Sequence, residues 1–182
     1  MIQILLKPNT RRYVASISVE RDNSRMIFAM IDTGAKNTVL RDIDIRVLLC
    51  DNTAKYDKIL SSGSNHIITT YNGSGIYTVP VELDGCLLNG MRLSKLYGFA
   101  CTDEKAVMSV IGMDFITACT ASLSKGSSMN ISSFDYDLYR SNFIKDCSGD
   151  QIHSINLLDN NVNEKKSLSN LFNDAVGSRR SI

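Results

Sequence analysis

Short runs of alternating apolar and polar residues dominate the chain up to residue 134. Between Tyr13 and Glu20, Tyr13, Ala15, Ile17 and Val19 fall on one side and Ser16, Ser18 and Glu20 on the other. That is the pattern of a half-buried strand. Arg21-Asp22-Asn23-Ser24 reads as a turn cluster, and Met26 to Ile31 as a strand apolar on both faces. The two strands make a hairpin that delivers Asp32 at its far end. Met1 to Leu6 is a further β-prone segment, and Asn37 to Leu40 a short strand after the turn.

Asp42 to Leu49 fits a short helix and a strand equally well. Its aspartates, Asp42 and Asp44, alternate with Ile43 and Ile45, which places them on a solvated face rather than in a metal-type Asp-x-Asp site. The stretch that follows, to Ser64, reads as polar and irregular, with a loop over Ser61 to Asn65. His66 to Tyr71, Asn72-Gly73-Ser74-Gly75 and Ile76 to Leu83 then form a β-hairpin, since Asn-Gly supplies two residues that tolerate positive φ. Pro80 marks an edge position or a bulge. A second turn at Asp84-Gly85 or Asn89-Gly90 leads to strands around Met91–Leu96 and Tyr97–Cys101, and Ala121 to Ile131 is a closing hairpin.

Residues 135–182 are rich in Asn, Asp and Ser, with an apolar patch at Ile152, Ile155, Leu157 and Leu158. A second set, Leu168, Leu171, Phe172 and Val176, is spaced for an amphipathic helix of about three turns. The same composition suits a partly disordered tail, and the two readings stand level. The expected division is therefore a β-domain over 1–134 and a C-terminal extension over 135–182 whose removal leaves the β-domain folded.

Composition narrows the function more than the fold. Hydrophobic residues make up 43% of 182, enough for a core. Lys plus Arg is 20 against 19 for Asp plus Glu, so nothing in the charge calls for nucleic acid or an anionic membrane as partner. No apolar run reaches the length of a membrane-spanning helix. The start is stopped by Lys7 and Pro8 and lacks a basic flank, so no signal peptide is expected. Cys50, Cys86, Cys101, Cys119 and Cys147 are odd in number, with no Cys-x-x-Cys, which suits reduced thiols in the cytoplasm. His66 and His153 are solitary, so no metal is expected. Residues 72–75 complete neither a nucleophile elbow nor a phosphate loop.

The candidate chemistry lies at Ile31-Asp32-Thr33-Gly34-Ala35. A carboxylate stands where the chain leaves a strand that should be buried, which is costly unless the site uses it. Thr33 supplies a hydroxyl that donates and accepts, and Gly34 permits a tight turn. Val110-Ile111-Gly112-Met113-Asp114-Phe115-Ile116 is a second such segment, an apolar run broken by Gly and Asp. Together the two motifs resemble the retropepsin-like aspartic proteases, the single-domain relatives of pepsin, and the resemblance runs over about residues 11–134. It implies an all-β, closed, barrel-like fold with one short helix after Gly112, followed by the extension.

The resemblance also implies a mechanism. One motif rather than two means that Asp32 meets the same residue of a second chain across a two-fold axis. Two carboxylates at about 3 Å share a proton, so that one activates a water and the other protonates a peptide carbonyl. By the same resemblance, Thr33 bonds across the axis, Gly34 donates to a carboxylate, Ala35 leaves room, and Ile111 and Gly112 support the turn from beneath. A flap covers the substrate: Tyr71, Asn72, Gly73, Ser74 and Gly75 are preferred for it, with residues 61–65 as the other candidate. The implied partners are a peptide or protein substrate and a second copy of the chain, without cofactor. A dimerisation or peptide-binding module of the same fold without turnover is the alternative.

Overall fold

The structure is a computed structural model, and it describes residues 2–7, 12–62, 66–69, 73–103, 106–124 and 128–159. In chain order the strands are β1 (Ile2–Lys7), β2 (Arg12–Val19), β3 (Asp22–Ile31), β4 (Val39–Arg41), β5 (His66–Thr69), β6 (Gly75–Asp84), β7 (Cys86–Leu88), β8 (Met91–Arg92), β9 (Leu96–Cys101), β10 (Ser109–Ile111), β11 (Cys119–Ser124), β12 (Ser128–Phe134) and β13 (His153–Asn156). The helices are α1 (Asp42–Leu49), α2 (Ala54–Ser61), α3 (Met113–Ile116) and α4 (Tyr136–Asp146). The molecule is thus mostly β.

Four expectations of the sequence are corrected. The strands follow the order β11-β12-β1-β2-β3-β10-β4-β9-β6-β13, and among the described residues the two ends do not pair, so the sheet is not a closed barrel. The single helix after Gly112 is joined by three others. In α1, Ile45, Leu48 and Leu49 are buried at helical spacing; the alternation of Asp42 to Ile45 concealed this. Asp44 is not on a solvated face. It is buried, gripped by Arg41 Nη2 at 2.7 Å and by the Ser109 hydroxyl at 2.6 Å. The stretch read as irregular forms α2, whose Tyr56 and Ile59 are one turn apart and buried.

The hairpin of β2 and β3 carries much of the core. Ala15, Ile17, Val19, Ile27, Ala29 and Ile31 are all buried, and each fully covered Ile or Val is worth roughly 1.5–3 kcal/mol relative to exposure. The other side of β3 is open, with Met26 41% and Phe28 56% exposed. The turn falls at Glu20 and Arg21, one place earlier than the polar cluster suggests, with Arg21 at φ 69°. Between β7 and β8, Asn89 and Gly90 take φ of 45° and 79°, the two left-handed positions that a tight hairpin turn demands.

Pro80 fits its neighbours. β5 pairs with β6 only over residues 75–78, and β13 pairs with it only over 81–84. Pro80 falls between them, where β6 has an unpaired edge and a missing N–H costs nothing on that side.

Residues 135–159 are packed on the sheet. Asp135 caps α4 by accepting from Leu138 N–H. Tyr139 and Phe143, one turn apart, are fully buried, within an aromatic cluster that also holds Tyr97, Phe99, Phe115 and Phe134. The Tyr139 hydroxyl donates to Tyr97 O at 2.6 Å and accepts from Tyr97 N–H at 3.0 Å. β13 adds a parallel strand to β6 and buries Ile155 and Leu157. The periodic set from Leu168 to Val176 lies outside the described residues. Among the described residues no helix is long and apolar enough to cross a membrane.

These contacts reverse the expected effect of truncation. A chain ended after Phe134 should lose its folded signal in circular dichroism, because Tyr97, Phe99 and Phe115 lose their cover. Tyr139→Phe, which keeps the volume but strands both backbone groups of Tyr97, should cost about 1–3 kcal/mol in urea denaturation.

Candidate active site

The turn after β3 is held from below by the segment that joins β10 to α3. β3 and β10 run parallel, pairing Met30 with Val110 and Ile31 with Ile111. Asp32 N–H continues that ladder to Ile111 O at 3.0 Å, Met113 N–H donates to Ala35 O at 2.8 Å, and Asp114 N–H donates to Lys36 O at 3.0 Å. The two motifs singled out in the sequence are therefore brought into direct contact. Gly112 is needed at their crossing: a Cβ there would lie 2.4 Å from Asn37 O and 2.9 Å from Ala35 O. Its own φ of −96° is open to any residue, so the demand is for space and not for backbone freedom.

Asp114 closes the arrangement. It is 3% exposed and accepts three hydrogen bonds: from Thr38 N–H at 2.8 Å, from the Thr38 hydroxyl at 2.7 Å and from Phe115 N–H at 2.8 Å. Gly112 N–H donates to the same Thr38 hydroxyl at 3.2 Å, which turns the hydroxyl proton toward Asp114. Burial raises the Asp114 carboxyl above its ordinary range, while the Thr38 and Phe115 donors pull it back. Asp114 and Thr38 were not among the site residues expected from sequence. The signal available was the position of Asp114, an acid inside the apolar run from Val110 to Ile116.

Within the turn, Gly34 N–H donates to Asp32 Oδ1 at 2.8 Å and Ala35 N–H to Asp32 O at 3.2 Å. Thr33 and Gly34 are exposed, and Asp32 and Ala35 half-buried. Among the described residues, Asp32 has no ion pair. Other carboxylates of the fold do have one, with Arg25 on Asp22, Arg41 on Asp44 and Arg46 on Asp42. Asp32 thus stands at a strand end, oriented by one backbone donor and, among the described residues, without a counter-cation.

The preferred flap is the tip of the β5–β6 hairpin. Tyr71 and Asn72 lie outside the described residues. Gly73 has φ 81° with open space around it, and Ser74 and Gly75 are exposed. Below the tip, Ile67 and Tyr77 face each other across the strands, 55% and 63% exposed. The hairpin is pinned at its base: the His66 ring stacks on Phe99 at 4.8 Å, and His66 Nδ1 lies 2.7 Å from Asp150 Oδ2. The other flap candidate starts inside α2, which ends at Ser61, so no strand leads into it.

Among the described residues no group of three or more His, Cys, Asp or Glu side chains is placed to hold a metal. An open groove of about 740 Å³ lies between α2 and β13, lined by Leu49, Lys55, Lys58, Ile155 and Leu158 among others, and it holds none of the turn residues.

No family model matches the chain, and no curated protein matches it. Among solved structures it is similar to a retropepsin-like aspartic protease from Rickettsia conorii, at 19% identity over 70% of this chain and 87% of that one, with a TM-score of 0.48.

Two measurements test the support of the turn. Gly112→Ala should destabilise the protein by about 1–3 kcal/mol, since the methyl meets fixed backbone. Asp114→Asn places an N–H₂ against a donor, and should cost a similar amount. A raised folded-state carboxyl holds its proton longer than the unfolded chain does, so its contribution is fullest below the unfolded value of 3.8 and fades as pH rises through the folded one. The stability gap between wild type and Asp114→Asn should therefore narrow as pH rises; a gap that widens would contradict the assignment.

Proposed function

We propose that the chain is an aspartic-type endopeptidase that acts as a homodimer, with Asp32 of each copy forming the catalytic pair. The observation that carries this reading is the Asp32 turn itself. It sets a carboxylate at a strand end, bonds it to Gly34 N–H and, among the described residues, leaves it without a counter-cation. It is seated on Ile111 and Gly112 through a ladder of backbone bonds. Two such carboxylates near a two-fold axis share one proton. The ionised one takes a proton from water, the water attacks the peptide carbonyl, and the other carboxyl protonates the carbonyl oxygen; collapse passes a proton to the leaving amine. Thr33 is exposed beside Asp32, where it serves to bond across the axis and hold the carboxylates in one plane. Ala35 keeps the approach clear. Residues 71–75 close over the substrate and exclude water. The substrate is a peptide or protein, and no cofactor takes part. Five unpaired cysteines suit a reducing compartment, and we place the protein in the cytoplasm.

Cleavage of a peptide library across pH by wild type and Asp32→Asn, with and without pepstatin, tests the proposal. Asp32→Asn should abolish cleavage and leave the sedimentation profile of the dimer unchanged, because it removes charge and not shape. Equal cleavage by both proteins would sink the reading. A dimer that binds peptides but never cleaves them would assign the chain instead to a binding module of the same fold.

A further inference from the structure

The Asp32 turn has a support that neither motif contains. Asn37, 8% exposed, donates from Nδ2 to Asp146 Oδ2 at 2.6 Å. Lys36 Nζ lies 2.6 Å from the other oxygen, Asp146 Oδ1. Asp146 is the last residue of α4. A carboxylate there faces the negative end of the helix macrodipole, and its side chain is only 12% exposed. Dipole and desolvation both disfavour this placement, and the charge-assisted bonds to the turn offset them. One helical turn earlier, Asn142 Nδ2 donates to Asp114 O at 3.1 Å and to the Thr117 hydroxyl at 3.0 Å. The end of α4 thus grips both walls of the site: the exit of the turn through Asn37, and α3 through Asn142.

We propose that Asp146 is a positioning residue for the Asp32 turn. Through Asn37 it fixes the backbone that packs against Gly112, and through Lys36 it engages the cation nearest to Asp32 in sequence. The proposal rests on Asp32 being the reactive carboxylate, but its geometric part is testable without turnover. Lys36 is mostly exposed, with 76% of its side chain open, and contributes little to the hold. The buried Asn37 contact does the positioning.

The test is hydrogen exchange at the amides of Gly34, Ala35 and Thr38, whose acceptors are Asp32 Oδ1, Asp32 O and Asp114 Oδ2. Asp146→Ala should speed these amides about tenfold, the equivalent of one lost hydrogen bond, while Ala15 and Ile17 in β2 keep their rates. Asp146→Asn retains one carbonyl oxygen for Asn37 and should give a smaller rise, roughly threefold by the same scale. Lys36→Gln leaves the Asn37 bond intact and should match wild type. In peptide cleavage, kcat should fall in the same order with KM unchanged. If wild type cleaves nothing, the protease reading fails and the exchange series still decides the positioning role. Unchanged turn amides in Asp146→Ala, or acceleration no greater there than in β2, would overturn it. If Asp146→Ala does not fold, the isosteric Asp146→Asn decides, and exchange equal to that of Lys36→Gln would overturn the proposal.

Discussion

Everything at the candidate site depends on the close crossing of two chain segments far apart in sequence. Asn37 and Ala35 pass over Gly112 at a distance that leaves no room for a side-chain carbon. That approach is what lets Thr38 reach Asp114, with its N–H and hydroxyl both donated to one buried carboxylate. A buried carboxylate with no donors would destabilise the fold. Supplied with three, it becomes a clamp that specifies where the turn sits. The parallel pairing of β3 with β10, the antiparallel pairing of β10 with β4 and the parallel pairing of β4 with β9 follow from this crossing. The turn leaves β3, and the chain re-enters the sheet on the far side of β10.

Charge around the turn is arranged unevenly. Asp44, at the start of the helix that follows β4, is neutralised by Arg41 and bonded by Ser109. Asp146 is held by Lys36 and Asn37. Asp114 is held by donors alone. Among the described residues Asp32 differs from all three, with one backbone donor and no cation. The carboxylates inside the fold are held by several partners each, and the one at the turn keeps more of its acceptor capacity.

The parts of this arrangement written in local sequence were legible there. The alternation in β2, the Asn89-Gly90 turn and the Gly in the apolar run at Ile111 each have a local physical cause, and the residues that carry them fell where those causes direct. The resemblance then joined Asp32 to Gly112 across the chain. Helices α1 and α2 were not legible. Asp42 to Ile45 satisfies a period of two as well as of 3.6, and only burial of Ile45, Leu48 and Leu49 on one side decides between them. The open end of the sheet was missed because closure depends on pairing between strands remote in sequence. Asp146 gave no signal at all, since an acid at the end of a polar helix reads as solvated until Asn37 is found beside it.

That omission bears on how the C-terminal residues should be understood. The segment from Asp135 looked separable because it is polar and follows the last motif. Yet α4 places Tyr139 and Phe143 in the aromatic core, and places Asp146 and Asn142 against the turn and α3. The same helix therefore contributes to stability and to the geometry of the site, along two stretches of its length. Substitutions at the first stretch act on the whole fold and shift every amide together. The second stretch bonds elsewhere, Asp146 to Lys36 and Asn37 at the exit of the turn and Asn142 to Asp114 and Thr117 in and after α3. The distinction comes from where each side chain points, and it separates a helix that merely covers the sheet from one that also bonds to the exit of the Asp32 turn.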